Sequence, residues 1–137
     1  MPTALIVDDS SVVRRALRRI LEGDPDWQWC GEADSGEAAL LVIEEMHPAA
    51  VVLDVSMPGM GGIQAAEAIR AKFPETKIVV LSLLRSSELI RAVFAAGASG
   101  YILKSHADEE LLEALNAVIA GGTYVSKAAN SLGYYDS

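Results

Sequence analysis

Four short runs of almost wholly apolar residues, at 4–7, 50–53, 78–81 and 100–103, most constrain what this chain can fold into. A run of this length with no polar alternation suits a strand buried on both faces, the condition of a parallel sheet covered by helices. The clearest is Val51-Val52-Leu53, which stops at Asp54 and soon passes into Pro58-Gly59-Met60-Gly61-Gly62. Proline lacks the N–H that a sheet ladder needs and glycine carries a backbone-entropy cost, so the strand ends at the carboxylate.

Helical patterns separate the runs. Residues 11–22 put Val13, Leu17, Ile20 and Leu21 on one face and Arg14, Arg15, Arg18 and Arg19 on the other, and Pro25 closes the segment. A more polar run at 27–33 reads as an edge strand. Further helices are expected over 37–46, 63–73, 86–96 and 109–120, with Gly97 as a left-handed cap and Ser105-His106-Ala107-Asp108 as a capping box. In the last helix Leu111, Leu112, Leu115, Val118 and Ile119 are expected to face inward. Five strands alternating with five helices, joined by right-handed crossovers, leave few topologies. The best fit is an α/β, flavodoxin-like (βα)5 fold with a parallel five-stranded sheet in the order 2-1-3-4-5, which puts the polar second strand at an edge. Residues 1–121 form one domain on this reading, and the Gly-, Ser- and Asn-rich stretch 122–137 reads as a linker-like tail.

Charge narrows the function. With 19 acidic against 11 basic residues the net charge is −8, which argues against this domain gripping nucleic acid by its phosphates. No apolar stretch approaches the ~18 residues of a membrane span and the N-terminus lacks a basic signal region, so a cytoplasmic protein with no membrane contact is expected. Cys30 is the single cysteine and makes no internal disulfide.

The strands end in Asp8-Asp9, Asp54, Ser82 and Lys104. In the 2-1-3-4-5 order these strands are consecutive neighbours, so their ends converge on one crevice, while Asp34 at the end of the second strand lies outside it. Two carboxylates ~4 Å apart repel by ~4 kcal/mol at an effective dielectric of ~20. Lys104 is one positive charge against three negative ones. Either some of the acids are protonated or cations hold them together; a hard divalent cation on oxygen ligands is the economical completion, and Mg²⁺ suits a small carboxylate count. His47 and His106 lie far apart in sequence with no second cysteine, which argues against zinc.

Leu5-Ile6-Val7-Asp8-Asp9, Leu53-Asp54-Val55-Ser56-Met57-Pro58-Gly59-Met60-Gly61-Gly62, Leu81-Ser82 and Ala96-Gly97-Ala98-Ser99-Gly100-Tyr101-Ile102-Leu103-Lys104 together resemble the receiver domain of two-component response regulators. The resemblance covers residues 3–121. Gly121-Gly122-Thr123-Tyr124-Val125-Ser126 is further similar to the NarL/FixJ-type subfamily, in which a linker leads to a C-terminal helix-turn-helix domain. The resemblance implies that Asp54 is the phosphoacceptor, taking a phosphoryl group from a sensor histidine kinase. It implies that Asp8, Asp9, Asp54 and the Ser56 backbone carbonyl hold Mg²⁺, and that Ser82 and Lys104 contact the phosphoryl group. Asp54 and Lys104 would carry the chemistry, limited to the domain's own phosphorylation and dephosphorylation rather than enzymatic turnover. Ser82 and Tyr101 would be the switch, with Tyr101 moving inward, and DNA would be bound only by a further C-terminal domain. Two positions depart from the family pattern: Leu83 is bulkier than usual after Ser82, and Ser105 replaces a common proline after Lys104.

The first helix carries Arg14, Arg15, Arg18 and Arg19, and the last carries Asp108, Glu109, Glu110 and Glu113. These faces read either as solvated surface with weak intrachain pairs of ~0–1 kcal/mol each or as the two halves of a homodimer that pairs the helices across a two-fold axis, a mode that the subfamily uses. Two alternatives differ in class: a degenerate receiver serving only dimerisation, and a haloacid dehalogenase-type phosphohydrolase. The second needs Asp-x-Asp after its first strand, where this chain has Asp8-Asp9-Ser10.

Overall fold

Residue parity along each strand decides the architecture. The computed structural model describes residues 1–55 and 61–130. Its strands are β1 (Thr3–Val7), β2 (Gln28–Ala33), β3 (Ala50–Asp54), β4 (Lys77–Ser82), β5 (Gly100–Leu103) and β6 (Tyr124–Val125). The helices are α1 (Ser11–Glu22), α2 (Gly36–Met46), α3 (Gly62–Lys72), α4 (Ser87–Ala95), α5 (Ala107–Ile119) and α6 (Lys127–Asn130). Successive side chains of a strand point to opposite faces. Leu5, Val7, Val51, Leu53, Ile78, Val80, Tyr101 and Leu103 therefore pack on one side with Ile43 of α2, Ile69 of α3 and Ile90 and Val93 of α4. Ala4, Ile6, Val52, Val79, Leu81 and Ile102 pack on the other with Leu17 and Leu21 of α1 and Leu111, Leu115 and Val118 of α5. Both faces are buried, which is why the runs show no polar alternation.

All pairings are parallel, in the order β2-β1-β3-β4-β5-β6. The expected order of the first five strands holds, and the expected count of five does not. β6 adds a sixth strand through Gly100↔Tyr124 and Tyr101↔Val125, from within the stretch read as linker-like. It covers backbone groups on the outer edge of β5 that would otherwise stand unpaired.

Serine caps set three of the helix starts: Ser10, Ser35 and Ser86 accept from the N–H groups of Val13, Ala38 and Leu89. Gly97 has φ +113°, as a left-handed cap requires. At Gly62 a Cβ would come 2.2 Å from Val55 Cα, so α3 can begin this close to the end of β3 only with glycine. The expected capping box at Ser105 is corrected. Lys104–His106 winds as a 3₁₀ turn, the Ser105 hydroxyl turns to His106 Nδ1, and α5 starts at Ala107 without a side-chain cap. Ile119, expected inside, is 38% exposed. Among the described residues no helix is long and apolar enough to cross a membrane.

Glu110, expected on an acidic outer face, is turned inward and only 4% exposed. Its carboxylate accepts hydrogen bonds from Tyr124 OH (2.7 Å), Ser126 Oγ (2.9 Å) and Lys127 N–H (3.2 Å). Ser126 N–H in turn donates to the Tyr101 carbonyl at 2.8 Å. Burial alone would push the Glu110 carboxyl up, but these three bonds and the charge of His106 outweigh it and hold it below its ordinary value. Burial pushes the Tyr124 phenol far up, and so do Glu110 and Glu113, because one phenolic proton serves both carboxylates. Glu110→Gln should cost about 2 kcal/mol at neutral pH, measured by urea denaturation. Because the folded pKa is depressed, this stabilisation is present above the unfolded value of ~4.3 and lost as pH falls through the folded value. The gap between wild type and variant should therefore close on acidification.

Candidate functional site

The carboxyl ends of β1, β3, β4 and β5 meet on one rim of the sheet, because these four strands are consecutive neighbours. Asp8 follows β1, Asp54 ends β3, Ser82 ends β4 and Lys104 follows β5. Asp8 is fully buried, and Asp54 and Ser82 are each 1% exposed. One carboxylate oxygen from each of Asp8, Asp9 and Asp54 lies within 4.8 Å of the others. Lys104 Nζ stands 3.2 Å from Asp8 Oδ2 and 3.2 Å from Asp54 Oδ2. Asp34 is exposed and outside the cluster, as the strand order requires. Ser56, whose carbonyl was expected as a metal ligand, lies outside the described residues.

Crowding shows in the protonation equilibria. Burial pushes the Asp8 carboxyl above its ordinary value and the neighbouring Asp54 charge adds to this; the Ser10 N–H bond and the Lys104 charge offset only part. Burial opposes the Lys104 charge, yet Asp54 and Asp8 together hold its pKa above the usual value. Asp8 Oδ2 is buried and, among the described residues, has the Lys104 ammonium beside it at 3.2 Å as an ion pair but no hydrogen-bond donor aligned on it. An underused buried oxygen beside two further carboxylates fits a small, hard cation.

Ser82 and Tyr101 are joined through the loop after β4. Ser82 Oγ accepts from Leu84 N–H at 3.0 Å, and the Tyr101 hydroxyl donates to the Leu84 carbonyl. The Tyr101 ring is completely buried, so the aromatic already lies inward here. Burial raises its phenol pKa, and a hydrogen bond with the Ser82 hydroxyl offsets part of this. Leu83 and Leu84 are 70% and 59% exposed.

Two contacts escape a residue-by-residue reading of the sequence. Leu84 enters through its carbonyl, which no side-chain pattern signals. Arg14, read as part of a basic outer face, is drawn in: its guanidinium donates to the Asp8 carbonyl (Nη1, 2.7 Å) and pairs with Glu32 (Nε, 2.6 Å). The available signal was helical spacing, since Arg14 stands three and seven residues before the buried Leu17 and Leu21. Of the other expected dimer residues, Arg15, Arg19, Asp108 and Glu109 are exposed. Arg18 is engaged by Glu22 and by the face of Trp29, and Glu113 by Tyr124.

Comparison with known proteins agrees with this geometry. The sequence profile for the response regulator receiver domain matches residues 4–116. Response regulator GacA of Pseudomonas aeruginosa is 36% identical over 126 residues, covering 92% of this chain and 59% of its own length. The nitrate/nitrite response regulator protein NarL of Escherichia coli K12 is 34% identical over 126 residues, covering 92% of this chain and 58% of its own. The chain thus spans under two thirds of the length of these relatives. A crystal structure of a LuxR-family two-component response regulator from Aurantimonas sp. SI85-9A1 superposes with a TM-score of 0.91 at 33% identity, covering 96% of this chain and 94% of that one.

Asp8→Asn should stabilise the cation-free protein by about 1 kcal/mol at pH 7, read by urea denaturation, because it removes one charge from the cluster. The wild-type Asp8 pKa is raised on folding, so its contribution is favourable below the unfolded value and lost as pH rises through the folded one. The advantage of the variant should accordingly shrink on acidification.

Proposed function

The chain belongs to the response regulator receiver domain family, NarL type, and on that premise we propose that Asp54 accepts a phosphoryl group from a sensor histidine kinase in a Mg²⁺-dependent transfer. The observation that carries this reading is the meeting of buried Asp8 and Asp54 with exposed Asp9 and half-buried Lys104 on one rim. Asp8, Asp9 and Asp54 would hold Mg²⁺, which neutralises charge on the transferring group. An Asp54 oxygen forms the bond to phosphorus as the bond to the donor breaks, leaving an aspartyl phosphate. Lys104 then stands beside the new negative charge. The Ser82 hydroxyl, tied like Tyr101 to the Leu84 backbone, turns its hydrogen to a phosphoryl oxygen and so couples the modified site to the aromatic through that loop.

Moving such a switch from 1:99 to 99:1 takes ~5.5 kcal/mol, and charge-assisted bonds of ~1.5–3 kcal/mol each from Lys104 and Ser82 supply that order. The readout surface lies around β5, whose Tyr101 carbonyl holds Ser126 and hence the C-terminal segment. This chain covers 59% and 58% of the two longer relatives, GacA and NarL, which leaves room in such a protein for an attached DNA-binding domain under the control of this surface. The intact Asp8, Asp9, Asp54 and Lys104 set argues against a degenerate receiver.

Incubation with Mg²⁺ and acetyl phosphate should add one phosphate by intact-mass spectrometry, and none in Asp54→Ala. Lys104→Ala should slow the reaction by roughly 10–100-fold, the equivalent of one charge-assisted contact. An equally modified Asp54→Ala protein sinks the assignment.

A second reading, dimerisation through α1 and α5, draws on a groove of about 390 Å³ between them. Val12, Val13, Ala16 and Ile20 line it, with exposed Arg15 and Arg19 on α1 and Asp108 and Glu109 on α5. A second copy of the chain fits this pairing of opposite charges. Sedimentation of Arg15→Glu/Arg19→Glu should show a lighter species than wild type at low salt; equal, salt-independent masses end the idea.

A further inference from the structure

We propose that Arg14 is a positioning residue for the cation site: it fixes the turn that presents Asp8 and Asp9, while Glu32 cancels its charge. The inference rests on the reading above that these acids take Mg²⁺. It begins from an anomaly of exposure. The Arg14 side chain is 16% exposed, whereas Arg18 on the next turn is 42% exposed. Arg14 reaches across from α1 to touch two other pieces of the molecule, the Asp8 carbonyl at the mouth of the site and Glu32 near the end of β2.

The Asp8 backbone is held at both of its polar groups. Its N–H donates to the Ala33 carbonyl at 3.1 Å, and its C=O accepts from Arg14 at 2.7 Å. The Asp8 carboxylate is aimed by the Ser10 N–H, which donates to Oδ1 at 2.9 Å and turns Oδ2 into the cluster. The carbonyl that Arg14 grips belongs to the peptide joining Asp8 to Asp9. A peptide moves as one plane, so pinning that oxygen also fixes the nitrogen and Cα of Asp9. Asp9 is the exposed member of the three acids and depends on its backbone for direction.

A guanidinium beside a cation site has an evident drawback, since its charge repels the incoming dication. Glu32, 2.6 Å from Nε, neutralises it. The pair supplies a rigid two-pronged donor with no net charge, which arginine can do and lysine cannot. This gives opposite signs for the two possible roles. If Arg14 were only a nearby charge, removing it would tighten Mg²⁺ binding; if it positions the turn, removing it weakens binding.

The test is calorimetric titration of the full 137-residue chain with MgCl₂ and no phosphodonor, with circular-dichroism melting in parallel. Wild type should bind and Asp8→Asn should not; failure of wild type to bind removes the cation reading and this inference with it. With wild type binding, Arg14→Gln should weaken Mg²⁺ by about tenfold, the scale of a lost ligand-orienting contact. The double variant Arg14→Gln/Glu32→Gln restores the wild-type net charge and should stay as weak as Arg14→Gln, showing that geometry and not charge is lost. Arg14→Lys keeps the charge with a single prong and serves if Arg14→Gln melts below the working temperature; it too should bind several-fold more weakly. Affinity equal to or tighter than wild type in a folded Arg14 variant overturns the proposal, even where the melting temperature falls.

Discussion

Three carboxylates brought within 4.8 Å of each other, two of them buried, are the constraint that the rest of this structure answers to. Nothing in the hydrophobic core favours such a cluster; each charge taken from water costs free energy, and each pair repels. The cluster is held because it sits where strong backbone ladders end. β1 and β3 pair from Ala4↔Ala50 to Val7↔Leu53, so the acids are fixed by a ladder whose apolar side chains are completely buried on both faces. Lys104, delivered by β5 from two strands away, is the counter-charge that spans the gap between Asp8 and Asp54. Core stability is thus spent on keeping an unfavourable arrangement of charge in place, as is common where a site must be ready before its ligand arrives.

Much of this was legible in the sequence, for an identifiable reason. In a sheet buried on both faces the strands announce themselves as unbroken apolar runs, and their polar ends are conspicuous by contrast. Asp54 could be placed from Val51-Val52-Leu53 alone, and the strand order put Asp8, Asp9, Ser82 and Lys104 beside it. The illegible parts share a different character. β6 is two residues long and has no apolar run of its own; it exists because β5 offers an edge. Glu110 reads as one more acid in Asp108-Glu109-Glu110, and only the return of Tyr124, Ser126 and Lys127 makes it an acceptor at the centre of a junction. The 3₁₀ turn at Lys104–His106 displaced a capping pattern that the local sequence permits. Each miss is a case in which a tertiary partner, unseen in the local window, decided between options that propensity left nearly equal.

The two switch candidates illustrate how backbone carries information between side chains. Ser82 and Tyr101 lie on adjacent strands, and both are tied to Leu84, one to its N–H and the other to its carbonyl. A change at the Ser82 hydroxyl therefore acts on a loop that Tyr101 is already holding. Tyr101 also contributes its own carbonyl to Ser126. One residue thus touches the loop over the site with its phenol and the C-terminal segment with its backbone, which gives a short physical route between them.

The sixth strand has a practical side as well. β5 is a four-residue strand, Gly100–Leu103, buried throughout. A domain cut after Gly121, where the helical pattern stops, would strip away Tyr124 and Val125 and lay bare the edge of that strand. An unpaired, flat, apolar edge is a template for pairing with another chain. The few residues beyond α5 therefore act as a selvage, the finished border that keeps a woven sheet from catching on its neighbour.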